Sequence, residues 1–286
     1  MTIRSEQYSL NNVSIASLEV GDAKLAHTSV VFLHGWLDNS ASFTTTLTEL
    51  HALDPELHLC AIDLPGHGLS SHKAAGHYYP FHDYIDDVFQ FIQQLSPKTL
   101  VIVGHSLGAL IASCVCAAFP ERVAGLVQIE GFGPLAEDEV QSVSRLRQGV
   151  LSRQRISQKP VRYFPDVQTA INRRAKVNNL APDLIAPVVK RGTVEKEGEV
   201  HWRHDRKLQS DSIYRMSPAH ARAVLSAIVC PQLIILGEQG YQELKAVCDE
   251  IMNEQIHKSV IQGGHHCHLE YPNRVSSLII GLVNKI

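Results

Sequence analysis

One serine in this 286-residue chain stands where a hydroxyl could act as a nucleophile. Ser106 is the central residue of Gly104-His-Ser-Leu-Gly108, which follows the apolar run 99–103 and precedes the apolar run 109–112. This order predicts a strand, a sharp turn and a helix, with the serine at the apex of the turn. Such a turn exposes the serine Oγ, and the two flanking glycines let strand and helix pack closely. We therefore predict Ser106 as a nucleophile in covalent catalysis.

Two backbone N–H groups could stabilise the oxyanion that forms when a serine attacks an acyl carbon. The N–H of Leu107 lies at the predicted N-terminus of the helix that follows Ser106. The second predicted donor is the N–H of Trp36, in the loop that begins at His34 after an apolar strand. In the alternative interpretation His34-Gly35 only turns the chain and Trp36 packs in the core.

A general base is expected in the loop between the last predicted strand and the last predicted helix. In strand–turn–helix serine sites with parallel sheets, the base follows the nucleophile and the acid in chain order. Residues 263–272 contain His265, His266, Cys267 and His268, which also suggest a metal site. However, neighbouring side chains in an extended run point to opposite faces, which disfavours convergence on zinc. We therefore predict a general base here, with no metal and no cofactor.

Of the nucleophile, the base and the acid that orients the base, the acid is the hardest to place from the sequence. It usually follows the strand that here ends at Gly237, but the chain has Gly240 where an aspartate would be expected. Glu130 ends an earlier apolar strand, and a carboxylate there is costly unless it is paired. We therefore favour Glu130 as the acid, with helix capping or a structural salt bridge as its alternative role. The other candidate acids are Glu238 and Asp205.

The elements around these residues alternate between strands and helices. This alternation covers the first 130 residues and resumes at residue 231, which predicts a mostly parallel sheet with helices on both faces. Between the two blocks, helical stretches lack strongly apolar strands, and we interpret them as a lid over the carboxyl edge of the sheet. The predicted boundaries are residues 1–132 and 227–286 for the core and 133–226 for the lid.

Charge and composition narrow the possible partners and locations. A net charge of −3 gives no reason to expect nucleic acid or an anionic membrane. Residues 145–215 contain 16 Lys and Arg against 7 Asp and Glu. Solvated helix faces are the favoured explanation, and a rim that attracts anionic substrates or phospholipid is the alternative. The sequence shows no N-terminal apolar segment, no long apolar run and no CxxC pair, so we predict a cytoplasmic protein with reduced cysteines. The predicted nucleophile indicates a small-molecule acyl substrate.

The chain resembles the α/β-hydrolases, and more narrowly the kraken and serine hydrolase-like protein family. The resemblance spans nearly the whole chain. The matching stretches are His34-Gly-Trp-Leu-Asp-Asn-Ser-Ala-Ser-Phe43, Asp63-Leu-Pro-Gly-His-Gly-Leu-Ser-Ser-His72, Gly104 to Gly108, Arg191-Gly-Thr193 and Gly264 to Glu270.

The resemblance implies an α/β-hydrolase fold with Ser106 as nucleophile, and it selects His265 over His266 as the base. It also implies that the narrower family has no acid near Gly240 and carries one where Glu130 stands. Haloalkane dehalogenases also take their acid from this strand end, but their nucleophile is an aspartate. Ser106 therefore argues against dehalogenation.

We predict a serine hydrolase that cleaves a carboxylic ester or thioester through an acyl-enzyme. The same residues could open a lactone or hydrolyse a C–C bond. A different class is a non-catalytic homologue that binds a ligand in the lidded pocket, which the glycine at position 240 would favour. The resemblance does not name a substrate.

Overall fold

The computed structural model describes residues 1–251 and 253–286. Strands within these residues account for the predicted sheet and for one further small sheet. In chain order they are β1 (Arg4–Ser9), β2 (Ser14–Val20), β3 (Thr28–Leu33), β4 (His58–Ile62), β5 (Thr99–His105), β6 (Gly125–Ile129), β7 (Tyr163–Phe164), β8 (Thr193–Lys196), β9 (Glu199–Trp202), β10 (Gln232–Gly237) and β11 (Ile256–Ile261).

Eight of these strands form one sheet in the order β1-β2-β4-β3-β5-β6-β10-β11. Strand β2 is antiparallel to both β1 and β4, and the remaining neighbours are parallel. The predicted mostly parallel sheet is therefore confirmed. Because parallel strands point the same way, the loops after β3, β5, β6, β10 and β11 lie along one edge of the sheet. The favoured site residues all lie in or directly after these loops, whereas the alternative acid Asp205 lies in the inserted segment.

Helices connect the parallel strands, as parallel crossovers require. They are α1 (Thr44–Leu53), α2 (Phe81–Leu95), α3 (Leu107–Ala118), α4 (Ser142–Gln158), α5 (Val167–Asn178), α6 (Pro182–Arg191), α7 (Pro218–Ser226), α8 (Gln242–Ile251), α9 (Cys267–Glu270) and α10 (Pro272–Val283). Apolar residues at helical spacing over about residues 81–95 predict a helix there, and this helix coincides with α2. In the described part of the chain, no helix has the length and apolar character that a membrane span requires.

The core consists of two apolar layers, one on each face of the sheet. Successive side chains of a strand point to opposite faces, so the buried run 30–33 contributes to both layers. Val31 and Leu33 pack in the layer that contains residues of α2 and α3. Val30 and Phe32 pack in the layer that contains residues of α1 and α10. Burial on both faces explains why the central strands are almost continuously apolar.

Between β6 and β10 the chain leaves the large sheet. This segment contains α4, α5, α6 and α7, together with a small sheet in the order β7-β9-β8. The small sheet differs from the sequence prediction, which expected helices alone. Its strands have only two to four residues and are partly exposed, so they lack the alternating apolar pattern that would reveal a strand. Its residues pack instead with α5 and α6 in a separate apolar cluster that includes Phe164, Ile185 and Val200.

Candidate active site

Ser106 occupies a sharp turn between β5 and α3. Its backbone has φ 49° and ψ −117°, a conformation that a residue with a side chain rarely adopts. The flanking glycines permit this turn. A Cβ on Gly104 would collide with the backbone of Ala109, and a Cβ on Gly108 would collide with the carbonyl of Leu33. Close packing of strand against helix therefore requires both glycines, as the sequence pattern predicted.

Glu130 directly follows β6, the strand beside β5. Its side chain is almost completely buried, at 1% exposure, and its carboxylate accepts two backbone hydrogen bonds. The N–H of Gly237 donates to Oε1 at 2.6 Å, and the N–H of Tyr241 donates to Oε2 at 3.3 Å. The same Oε2 lies 3.2 Å from Nδ1 of His265. The end of β10 and the loop after it thus hold the carboxylate, which also contacts the histidine.

The glycine at position 240 has a structural explanation. A Cβ on Gly240 would overlap with Oε1, Oε2 and Cδ of Glu130. The carboxylate therefore fills the volume beside the loop after β10 that a side chain at position 240 would otherwise enter. Glu238, one of the alternative acids, is exposed. Asp205, the other alternative, accepts a hydrogen bond from the hydroxyl of Tyr79 at 2.9 Å.

His265 lies in the loop between β11 and α9, where it contacts His105 and Tyr241. Its carbonyl oxygen lies 2.8 Å from Nε2 of His105, the residue before Ser106, so the histidine loop meets the serine turn. The ring of Tyr241 packs against the His265 ring, with 4.5 Å between the ring centroids. Because Nδ1 faces the Glu130 carboxylate, it carries the proton in the neutral ring, and Nε2 is left with a lone pair. Among the described residues, the Ser106 hydroxyl makes no hydrogen bond, and Oγ–His contacts often tighten only when a substrate is bound.

The two predicted oxyanion donors lie in the loops after β3 and β5. The N–H of Leu107 is the first of α3, where a helix has no internal partner for it. Around Trp36, the N–H of Leu37 donates to His67 Nε2 at 3.2 Å and that of Asp38 donates to the Gly35 carbonyl at 3.1 Å. The indole of Trp36 is half-exposed and donates through Nε1 to the carbonyl of Leu208 at 3.0 Å, so it does not pack in the core as the alternative interpretation required.

A family model described as the α/β hydrolase fold matches residues 28–272. The chain belongs to the α/β-hydrolase family. Within this family it is 31% identical over 266 residues to a serine hydrolase-like protein of Dictyostelium discoideum, which covers 87% of this chain and 72% of the relative. This likeness confirms the resemblance to the serine hydrolase-like family.

Two further relatives of this hydrolase are informative. A pimeloyl-[acyl-carrier protein] methyl ester esterase of Shewanella woodyi is 38% identical over 100 residues, which is 35% of this chain and 34% of the esterase. The crystal structure of a hypothetical protein from Pseudomonas aeruginosa PAO1 superimposes with a TM-score of 0.88 and 25% identity, covering 99% of both chains. The fold of the hydrolase is therefore shared along its whole length with a solved structure.

A second polar cluster of the hydrolase lies beside the serine turn, and sequence reasoning missed it. Asp38 and His266 are buried, with 3.3 Å between Oδ2 and Nε2. His105 is buried against His266, with 5.1 Å between the ring centroids. Burial and the neighbouring histidines hold the pKa of His105 well below its ordinary value. The available signals were the position of Asp38 in the matching stretch after His34 and the histidine-rich run that contains His266. Neither indicated that the two residues meet, because the cluster joins three distant segments.

Two arginines of the segment 133–226 hold it against the core of the hydrolase. Arg191, at the end of α6, forms an ion pair with the fully buried Asp63 at 3.0 Å. Arg174, in α5, forms another with Asp38 at 2.8 Å. Asp63 also accepts backbone hydrogen bonds from Ser40 at 2.8 Å and Leu69 at 2.7 Å. The stretch that begins at Asp63 therefore acts as a structural junction between the core and the inserted segment.

Proposed function

We propose that this protein is a serine hydrolase that cleaves a carboxylic ester or thioester through Ser106, His265 and Glu130. The observation that carries the proposal is the 3.2 Å contact between His265 Nδ1 and the buried Glu130 carboxylate, at the loop that meets the serine turn. A histidine fixed in this tautomer is the general base that a serine hydroxyl needs. The kinship with serine hydrolase-like proteins and with a methyl ester esterase agrees with this reaction class.

In the acylation step, His265 Nε2 accepts the Ser106 proton while Oγ attacks the acyl carbon. The N–H groups of Trp36 and Leu107 donate to the oxyanion of the tetrahedral intermediate. The imidazolium then gives its proton to the leaving alcohol or thiol, and an acyl-enzyme remains. Water, deprotonated by the same histidine, attacks the acyl-enzyme, and the carboxylic acid product leaves while Ser106 regains its proton.

Glu130 orients His265 and stabilises the imidazolium that forms in both steps. Its position is fixed independently of the histidine, because one backbone N–H at the end of β10 and one in the loop after it donate to the carboxylate. Such a preorganised anion does not need to rearrange when the positive charge develops. In this proposal the acid comes from the end of β6, and the end of β10 with the loop after it contributes N–H donors instead of an acidic side chain.

We also propose that residues 133–226 form a lid over this site and that the rest of the chain is the catalytic core. The ion pairs of Arg174 and Arg191 with core aspartates support this arrangement, because they connect α5 and α6 to the loops after β3 and β4. A small-molecule acyl substrate would then bind between the lid and the carboxyl edge of the sheet. We propose a cytoplasmic location.

A fluorophosphonate probe tests the reaction class, because it labels only an activated serine. We expect labelling of the wild-type protein at Ser106, located by mass spectrometry of the labelled peptide, and no labelling of Ser106→Ala. A panel of p-nitrophenyl esters, thioesters and lactones of increasing acyl length then identifies the preferred bond. Absence of labelling in a folded wild-type protein would favour a non-catalytic ligand-binding homologue, and turnover of lactones alone would replace the ester assignment.

A further inference from the structure

A buried group of metal-type ligands lies beside the proposed catalytic residues and has no part in the proposed mechanism. One carboxylate oxygen of Asp38 and one ring nitrogen each of His105 and His266 lie within 4.8 Å of one another. The three residues come from the loop after β3, the end of β5 and the loop before α9. We propose that Asp38, His105 and His266 form a binding site for a divalent transition-metal ion.

The hydrogen bonding of His105 supports this site. Its Nε2 lies 2.8 Å from the carbonyl oxygen of His265, which can only accept, so Nε2 carries the proton. Nδ1 is then left with a lone pair. It faces Gly35, at the start of the turn that carries Asp38, and within the described residues it has no hydrogen-bond partner although it is buried. Metal-binding histidines characteristically donate their other N–H to a carbonyl or carboxylate in this way.

The neighbouring His268 shows the same lack of partners. Its ring is fully buried against the ring of His105, with 4.2 Å between the centroids. Neither of its ring nitrogens has a hydrogen-bond partner in the part of the chain that the structure describes. Buried polar atoms without a partner are uncommon and each costs free energy, so these histidines provide more ring nitrogens than the described part of the protein pairs.

The donor types and their spacing suit a transition metal. Two imidazoles and one carboxylate form a set that binds zinc and its neighbours in the first row. Ligand atoms about 2.0–2.1 Å from a tetrahedral ion lie about 3.3 Å from each other. Asp38 Oδ2 and His266 Nε2 are already 3.3 Å apart. An ion could therefore replace the proton between these two atoms with little movement of either side chain.

Arg174 is the group that competes with an ion. Its guanidinium lies 2.8 Å from Oδ1 of Asp38 and supplies the positive charge that the buried carboxylate needs. A bound dication would repel this guanidinium at short range. Because Arg174 belongs to α5 in the inserted segment, we expect its removal to strengthen metal binding, which a purely structural cluster would not do.

The site also has a consequence for catalysis, which rests on the proposed function. The rings of His105 and His265 have centroids only 4.9 Å apart. A dication bound to His105 would repel the positive charge that His265 acquires when it accepts the serine proton. We therefore expect zinc to inhibit ester hydrolysis at the concentrations at which it binds.

Binding is tested directly on the full-length chain after removal of metals with a chelator. Calorimetric titration with Zn²⁺ should give one site per chain, and Co²⁺ should give the visible absorption of a low-symmetry nitrogen and oxygen site. His266→Gln should weaken Zn²⁺ binding about tenfold or more, and Arg174→Gln should strengthen it several-fold. His220→Gln, which changes an exposed histidine, is the matched control and should leave the affinity unchanged.

These measurements distinguish a failure of the metal proposal from a failure of the proposed function. Ser106→Ala should bind Zn²⁺ as the wild type does while it loses hydrolysis, so the metal site can stand if the reaction class is wrong. The absence of a one-to-one site in the wild type would overturn the metal proposal. Equal affinities for the wild type and folded His266→Gln, or weaker binding by folded Arg174→Gln, would overturn it as well.

Discussion

The carboxylate of Glu130 occupies the space that a side chain on Gly240 would fill. A Cβ at position 240 would overlap with both carboxylate oxygens, while the N–H of the next residue, Tyr241, donates to one of them. The two positions are therefore coupled sterically: a glutamate at the end of β6 needs a residue without a side chain in the loop after β10. The glycine at position 240 is therefore explained by the position of the Glu130 carboxylate, which we propose as the acid.

We predict that Gly240→Ala lowers kcat about 100-fold, because the new methyl group displaces the Glu130 carboxylate and a small misplacement of a catalytic group has an effect of this size. Gly281→Ala is the matched control, since a Cβ there meets nothing within 4 Å. The measurement is steady-state hydrolysis of a p-nitrophenyl ester. Wild-type kcat in Gly240→Ala would contradict the coupling.

Replacement of the proposed base should remove activity selectively. We expect His265→Ala to lose several orders of magnitude in kcat, because no other group takes the serine proton. His266→Ala and His268→Ala should lose far less, since neither contacts Glu130. Treatment of the purified protein with a chelator should not lower its rate of hydrolysis. Loss of activity with a chelator and its recovery with zinc would show that a metal, and not His265, activates the nucleophile.

The pH dependence of stability should include a contribution from Glu19, far from the proposed active site. Burial raises the pKa of this carboxyl, but hydrogen bonds from His58, Ser17 and Tyr8 outweigh burial and lower it from 4.5 to about 2. A carboxyl with a depressed pKa stabilises the fold above its unfolded pKa, and that stability is lost as the pH falls through the folded value. The contribution is therefore complete above about pH 5 and disappears towards about pH 2.

Urea unfolding of Glu19→Gln and the wild type checks this contribution. At about pH 7 the variant should be less stable by on the order of 2–3 kcal/mol, and by about pH 3 the difference should be roughly halved. Glu56→Gln, at an exposed position, is the control and should show little difference at either pH. A deficit in Glu19→Gln that is independent of pH would mean that the carboxylate charge is not responsible.

The ion pair between Arg191 and Asp63 should matter for stability more than exposed charges do. Asp63 is fully buried, so Arg191→Gln leaves its negative charge without a cationic partner. We expect a loss of about 3 kcal/mol in the free energy of unfolding. Arg173→Gln changes an exposed arginine and should cost little. Equal unfolding midpoints for the wild type and Arg191→Gln would refute a role in holding the inserted segment to the core.

The sequence was sufficient to predict the parts of the molecule that depend on local pattern. Ser106 lies between an apolar strand and a helix, and the glycines on both sides of it predict the tight turn. Helix α2 has apolar residues at helical spacing, which predicted its bounds. A partner for Glu130 was predictable because a charge at the end of a buried strand needs one, and His265 Nδ1 lies 3.2 Å from its carboxylate.

Features that depend on packing between distant segments were not predictable. The strands β7, β8 and β9 are too short and too exposed to show alternation, so the small sheet was missed. The cluster of Asp38, His105 and His266 brings together residues up to 228 positions apart through the meeting of three loops. No sequence pattern around any one of these residues indicates that the three loops lie together. The steric coupling between Glu130 and Gly240 was hidden for the same reason.

The kcat of Glu130→Gln tests the central claim most directly, because glutamine keeps the shape of the side chain and removes its charge. The triad predicts a fall of about 10⁴-fold, the size seen when an orienting acid is neutralised in the best-studied serine triad. Glu238→Gln, which changes an exposed carboxylate at the alternative position, should remain close to the wild type. Near wild-type turnover by folded Glu130→Gln, or a comparable loss in Glu238→Gln, would contradict the assignment of Glu130 as the acid of the triad.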